Sequence, residues 1–176
     1  MKQSAQCGMW WKIPNWIEGT LKLRGTKENI EKFLRNGIEY VDANLCKDEN
    51  GKLCIKRIPR EIEFKIDEDQ VFIENTMDAY ISGTQRMFIN KDTINAWWMD
   101  KEPTIIVLDI RQAWEFASDD LVKLSKTWKL DFYAYGIEGG MEFCQIVEVV
   151  NGKLIQNKKG TFDDFWWECP DPRLGG

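Results

Sequence analysis

Residues 13–25, Ile13-Pro14-Asn15-Trp16-Ile17-Glu18-Gly19-Thr20-Leu21-Lys22-Leu23-Arg24-Gly25, constrain the fold more than any other stretch of the chain. Residues 15–24 alternate as a strand does, sending successive side chains to opposite faces. Pro14 has no N–H to donate, which suits the start of a strand and not its middle. Gly25-Thr26 ends the strand. Thr26 is a helix N-cap, and Glu28 puts negative charge in the first turn, where the helix dipole favours it. Ile30, Phe33 and Leu34 then form one apolar stripe at i, i+3 and i+4, and Gly37 closes the helix. A strand that leads straight into an amphipathic helix must bury one sheet face against that helix.

The middle of the chain, residues 38–100, reads as β-rich. Asn50-Gly51 predicts a two-residue hairpin between Leu45-Cys46 and Leu53-Cys54-Ile55. Glu61–Ile66, Val71–Ile73, Ala79–Ile81 and Arg86–Ile89 predict further strands, and Asp92 caps a predicted short helix over 92–99. Thr104–Ile110 is the most hydrophobic run and reads as a buried central strand that Asp109 nearly ends. Ser118 is the expected N-cap of a second helix with Asp119 and Asp120 in its first turn and a stripe of Leu121, Leu124 and Trp128. The chain then predicts a strand over Leu130–Tyr135, a glycine turn at Gly136–Gly140, a strand over Met141–Val150, and an Asn151-Gly152 hairpin into Lys153–Gln156. The expectation is one α+β domain. Residues 15–37 and 104–156 form a split β-α-β core with helices on one face; 38–100 is a β-rich insert, and 157–176 a Trp-containing tail.

Several chemistries are excluded by what the chain lacks or how it is spaced. There is no histidine, so the commonest general base, His-dependent triads and His-ligated metal sites are absent. Five cysteines stand at 7, 46, 54, 144 and 169 with no CxxC pair. Two sulfurs near a hairpin (Cys46, Cys54) make a poor zinc site without histidine, so reduced thiols in an intracellular protein are expected. No stretch approaches the ~20 apolar residues of a membrane helix, and the N-terminus carries no signal-peptide pattern. Net charge is −5, which is not the balance of a nucleic-acid-binding surface; Lys56, Arg57 and Arg60 form a local basic run that reads as a solvated strand face.

Nine tryptophans are many for 176 residues, and six fall in adjacent pairs: Trp10-Trp11, Trp97-Trp98 and Trp166-Trp167. On a strand such a pair fills the core with one ring and presents the other. Two readings stand: an aromatic core with incidental exposed rings, or indoles that anchor a partner, as Trp does at interface hot spots. Ser82-Gly83-Thr84-Gln85-Arg86 gathers hydroxyls, an amide and a guanidinium, a set able to hold a phosphate or to form a polar turn. Gly136-Ile137-Glu138-Gly139-Gly140 leads into a strand, so it lacks the helix N-terminus of a phosphate-cradling loop. Asp109 at a strand end, Glu115 just after it, and Glu138 and Glu142 around the glycine turn are carboxylates that could bind Mg²⁺ for a nuclease, with Asp109 and Glu142 the pair to test, or serve as surface charges and caps. Trp16, Phe132, Tyr133, Tyr135 and Phe143 are rings that a sheet could stack against bases.

Pro14-Asn15-Trp16, Gly25 and Phe33-Leu34, followed by Ala113-Trp114, the 118–128 helix, Tyr135-Gly136 and Gly140-Met141-Glu142-Phe143, resemble the YubB-type ferredoxin-like domain family, small proteins of bacteriophages, prophages and plasmids. The ending Trp167-Glu168-Cys169-Pro170-Asp171-Pro172-Arg173-Leu174-Gly175-Gly176 resembles a subgroup from Gram-positive phages. Residues 1–12 and roughly 40–100 fall outside the resemblance. It implies a ferredoxin-like sheet and a mobile-element origin, and brings no catalytic residues. The resulting expectation is a non-enzymatic accessory protein of the host cytoplasm without a cofactor or bound metal. It would antagonise a host defence system, as an anti-CRISPR-type inhibitor of a protein or ribonucleoprotein or as a sponge for a small nucleotide. The partner-binding candidates are Trp10, Trp11, Arg86, Trp97, Trp98 and Glu138. The alternative is a nucleic-acid-binding or metal-dependent nucleic-acid-cleaving domain.

Overall fold

The computed structural model describes residues 15–47 and 49–164; Trp10, Trp11, Cys7, Trp166, Trp167 and Cys169 lie outside them. Along the chain run β1 (Trp16–Gly25), α1 (Lys27–Asn36), β2 (Ile38–Glu39), β3 (Val41–Lys47), β4 (Leu53–Pro59), β5 (Phe64–Ile66), β6 (Gln70–Ile73), β7 (Tyr80–Ile81), β8 (Met87–Ile89) and β9 (Ile94–Trp97). β10 (Thr104–Ala113), α2 (Ser118–Trp128), β11 (Asp131–Glu138), β12 (Phe143–Val150), β13 (Lys153–Thr161) and a 3-10 turn at Phe162–Asp164 complete it. The fold is α+β, built on an eight-stranded sheet in the order β13-β12-β11-β1-β10-β8-β7-β2. Every pairing in that sheet is antiparallel. β10 and β11 both oppose β1 from its two sides and therefore run parallel to each other, joined through α2.

β1 sits at the centre because it can be buried on one face and wetted on the other. Ile17, Leu21 and Leu23 lie on the buried face, and the register sets Leu21 beside Leu108 and Ala134, and Leu23 beside Ile106 and Phe132. Both helices cover this face. Phe33 of α1 meets Phe132 edge-on with ring centroids 5.9 Å apart and Trp128 of α2 at 5.8 Å. A second, three-stranded sheet (β5-β6-β9) packs along α1: the Arg35 guanidinium stands 4.7 Å over Phe64, and Lys27 Nζ donates to the Glu68 carbonyl. In the β5–β6 turn the Asp67 carboxylate accepts from the backbone N–H groups of Gln70 and Asp69, which hold it below the usual carboxylate range. Roughly 1.5–3 kcal/mol accompanies the full burial of each large apolar side chain, so the contiguous core dominates stability.

Much of the sequence reading holds in detail. Thr26 caps α1 by accepting from Asn29 N–H at 3.2 Å, Gly37 N–H closes it on the Phe33 carbonyl at 2.7 Å, and Asn151 and Gly152 form a two-residue turn with positive φ at both. The differences have physical causes. Residues 94–97 are strand, not helix, because Ile94 and Ala96 pair with β6 and the 92–99 segment completes the small sheet. The first hairpin does not close on Asn50-Gly51 alone: its last pair is Lys47 with Leu53, a register that sets Cys46 opposite Cys54. Ser118 is the first helical residue rather than the cap; Ala117 caps α2 without a side-chain bond, its own N–H taken by Gln112 Oε1 at 3.2 Å. Gly136 is strand rather than turn, since β11 continues to Glu138, β12 begins at Phe143 rather than Met141, and β13 extends to Thr161. The insert is not separate, since β2, β7 and β8 extend the large sheet.

Candidate partner-binding face

The face of the large sheet opposite the helices carries no helix among the described residues, and the register lays out its side chains in rungs. One rung reads Ile137, Glu18, Arg111, Phe88, Tyr80, Glu39 from β11 to β2. The next reads Lys158, Ile146, Tyr135, Thr20, Asp109, and the third Gln156, Glu148, Tyr133, Lys22, Val107. A fourth holds Lys153, Val150, Asp131, Arg24 and Ile105. Cations and anions are interspersed and largely paired: Arg24 grips Asp131 through Nε (3.0 Å) and Nη2 (2.7 Å), and Lys91 Nζ lies 3.4 Å from Asp109. Val107 and Ile105 are exposed, and Lys22 Nζ rides 5.6 Å from the Tyr133 ring centroid. A cavity of about 290 Å³ opens between Lys22, Ile105, Tyr133, Glu148 and Val150.

At the β1 start of this face, two guanidiniums stack on one indole. Arg111 Cζ is 5.1 Å and Arg86 Cζ 5.4 Å from the Trp16 ring centroid, while Phe88 meets Trp16 edge-on at 5.9 Å and Tyr80 at 5.6 Å. Arg111 also donates through Nη2 to Asp78, and its buried Nε has no hydrogen-bond partner among the described residues. Arg86 is exposed, and its guanidinium has no hydrogen bond or ion pair among the described residues. The loop that carries it is fixed from both sides. Gln85 N–H donates to Asp120 at 2.7 Å, Gln112 Nε2 donates to the Gln85 carbonyl at 2.9 Å, and Thr84 Oγ1 donates to the Ile81 carbonyl and accepts from Met87 N–H. The two hydroxyls of Ser82–Arg86 are thus spent, Thr84 on the turn and Ser82 on Glu39, the Gln85 backbone is bonded on both its N–H and its carbonyl, and Asp120 occupies the ground a phosphate would need.

The other sequence candidates scatter. Trp97 and Trp98 divide as an adjacent pair should: Trp97 is 68% exposed, whereas Trp98 is 9% exposed, with Nε1 donating to the Asp67 carbonyl at 2.9 Å. Trp97 ends β9 of the small sheet and Trp98 follows it, whereas Arg86 leads into β8 of the large sheet. Glu138 is buried and caps its own turn, accepting from Gly140 N–H at 2.8 Å and Met141 N–H at 2.6 Å; its carboxylate has no free face to offer. Of the five rings proposed for base stacking, Trp16, Tyr133 and Tyr135 stand on the helix-free face, while Phe132 and Phe143 point to the core side. Asp109 lies inside β10 opposite Thr20, not at its end, and Glu142 lies in the turn beyond Glu138, which pairs with Ile17. Those rungs are separated by roughly 10 Å along the strands and roughly 10 Å across them, so the two carboxylates do not share one cation. Among the described residues no group of three or more Cys, Asp or Glu gathers as a metal site, and no helix is long and apolar enough to cross a membrane.

The sequence reading missed Arg111, Phe88 and Tyr80. Their alternation within β10, β8 and β7 marks them as one-face residues, but only the long-range register shows that the face is shared with Trp16. No model of a protein family matches the chain, and neither the curated proteins nor the solved structures contain a match to it.

Proposed function

We propose that this chain is a non-enzymatic binding protein of mobile-element origin that antagonises a host defence system from inside the cell, and that it engages its target with the helix-free face of the large sheet. The observation that supports this reading is the face itself: a broad surface where Trp16, Tyr133, Val107 and Ile105 stand among interspersed charges of both signs. Aromatic and aliphatic side chains amid balanced charge suit a protein partner better than a polyanion. The step from binding to antagonism rests on the resemblance to the YubB-type family. So does the ferredoxin-like reading of the core, to which the order β11-β1-β10 and the α2 crossover lend support.

The test is native mass spectrometry of the protein purified gently from its bacterial host, first unaltered and then as Val107→Lys, Tyr133→Ala and Trp97→Ala. A co-purifying protein or ribonucleoprotein lost with Val107→Lys or Tyr133→Ala and kept with Trp97→Ala is the expected result. Loss with Trp97→Ala alone moves the interface to the small sheet and overturns the assignment. A small added mass in place of a macromolecule identifies a nucleotide sponge instead.

One observation favours a second reading. Lys22 over the Tyr133 ring, beside Tyr135, is an arrangement suited to a stacked base and its phosphate. A gel shift at two salt concentrations separates the two readings, because nucleic-acid affinity falls steeply with salt.

A further inference from the structure

Resting on the face reading above, we propose that Arg86, stacked on Trp16 beside Arg111, is a docking point for an aspartate or glutamate carboxylate of the protein partner. Three observations carry it. The two guanidiniums share one indole but differ in what they have left to give. Arg111 is committed to Asp78 and pressed against the ring, whereas the Arg86 side chain is exposed, its guanidinium without a hydrogen bond or ion pair among the described residues. A guanidinium in that state holds its planar fork of N–H donors unspent, the geometry that meets a carboxylate through two parallel bonds.

The backbone is committed to the presentation. Arg86 has φ +57°, uncommon for a residue with a side chain, and its carbonyl accepts from Ala113 N–H at 3.3 Å, directly across from Trp16. Gln85 and Thr84 lock the loop on either side. The guanidinium is therefore pre-positioned, and little ordering remains to be lost on binding.

The surroundings choose the anion. Glu18 faces Arg111 across the β1–β10 pair, Asp78 is bound to Arg111, and Asp120, under Gln85, is itself paired with Lys123 at 3.5 Å. With these carboxylates close by, the local field is nearly neutral. It suits a singly charged carboxylate and works against a doubly charged phosphate or a nucleic-acid backbone.

The experiment follows the Trp16 indole N–H in a nitrogen-edited NMR spectrum, assigned by its loss in Trp16→Phe. The probes are a short capped Gly-Glu-Gly peptide, its Gly-Gln-Gly counterpart and inorganic phosphate, all at one ionic strength. The expected result is a saturable shift with the glutamate peptide, none with the glutamine peptide, and binding weakened roughly tenfold or more in Arg86→Gln. A saturable shift with phosphate alone, or shifts identical for all three probes, overturns the assignment. The remaining indole signals report that Arg86→Gln is folded. If the host complex depends on Val107 and Tyr133 but not on Arg86, the face stands and the carboxylate subsite falls.

Discussion

Gln145 and Phe116 hold each other by both ends: Phe116 N–H donates to Gln145 Oε1 at 2.8 Å, and Gln145 Nε2 donates to the Phe116 carbonyl at 3.1 Å. Both residues are fully buried. The side-chain amide of a core strand thus stands in for a backbone partner where the chain leaves β10 and turns into α2. Gln145→Leu fills much the same volume but orphans a buried N–H and a buried carbonyl. The expected cost is about 2–4 kcal/mol, read as a lower urea midpoint with an unchanged slope.

The same phenylalanine explains a glycine. Gly136 sits inside β11, and a Cβ there would come within 2.7 Å of Phe116 Cζ and 2.7 Å of the Glu18 carbonyl. Its neighbour across the β1–β11 pair is Gly19, so the two strands meet bare backbone to bare backbone under the ring. Gly136→Ala is expected to destabilise by about 1–3 kcal/mol through overpacking. Phe116→Leu in the Gly136→Ala background is expected to cost less than Phe116→Leu alone, a coupling that a double-mutant cycle reads directly.

Tyr40 gives the fold an alkaline limit. Burial drives its phenol well above the ordinary tyrosine range, against a smaller downward pull from Arg35, and its hydroxyl donates to the Leu34 carbonyl at 2.8 Å. A folded-state value above the unfolded one means the unfolded chain loses this proton first. The stabilisation from Tyr40 is fully present below about pH 10, where unfolded tyrosine is still protonated, and drains away as pH rises beyond it. Stability measured from pH 8 to 11 in wild type and in Tyr40→Phe is expected to converge, with the variant weaker by about 1 kcal/mol at the neutral end. A constant gap across that range contradicts the assignment.

The parts of this fold that depend on neighbours in sequence were legible in the sequence; the parts that depend on register were not. Thr26, Glu28 and the Ile30-Phe33-Leu34 stripe announce α1 because capping and periodicity act within a few residues. Asn151-Gly152 announces its hairpin for the same reason. The segment at 92–99 misled because Ile94–Trp97 is too short to alternate visibly, and its strand character comes from pairing with Gln70–Ile73. Glu138 and Asp109 drew attention as carboxylates near a turn and a strand end, yet one caps backbone and the other pairs with Lys91 in mid-strand. The Trp16 stack joins residues 16, 86 and 111, brought together only when β1 pairs with β10 and β10 with β8. No local pattern carries that information.

Trp114 offers a further test of the proposed interface. It follows β10 with φ +73°, a conformation that costs a bulky residue on the order of 1 kcal/mol, yet its indole remains 43% exposed. The bend is imposed by its N–H donating to the Asn15 carbonyl at 2.8 Å, where β1 begins. Glycine adopts this φ freely, so Trp114→Gly separates the cost of the backbone from the contribution of the indole. Trp114→Gly relieves the strain but gives up the buried half of the indole and frees the unfolded chain, so the urea midpoint is expected to fall modestly, by the equivalent of about 1–2 kcal/mol. The same variant is expected to weaken the host complex if the indole is part of the interface, as loss of an interfacial Trp does. A large drop in stability instead would mean that the indole packs as structure, and its exposure would carry no functional weight.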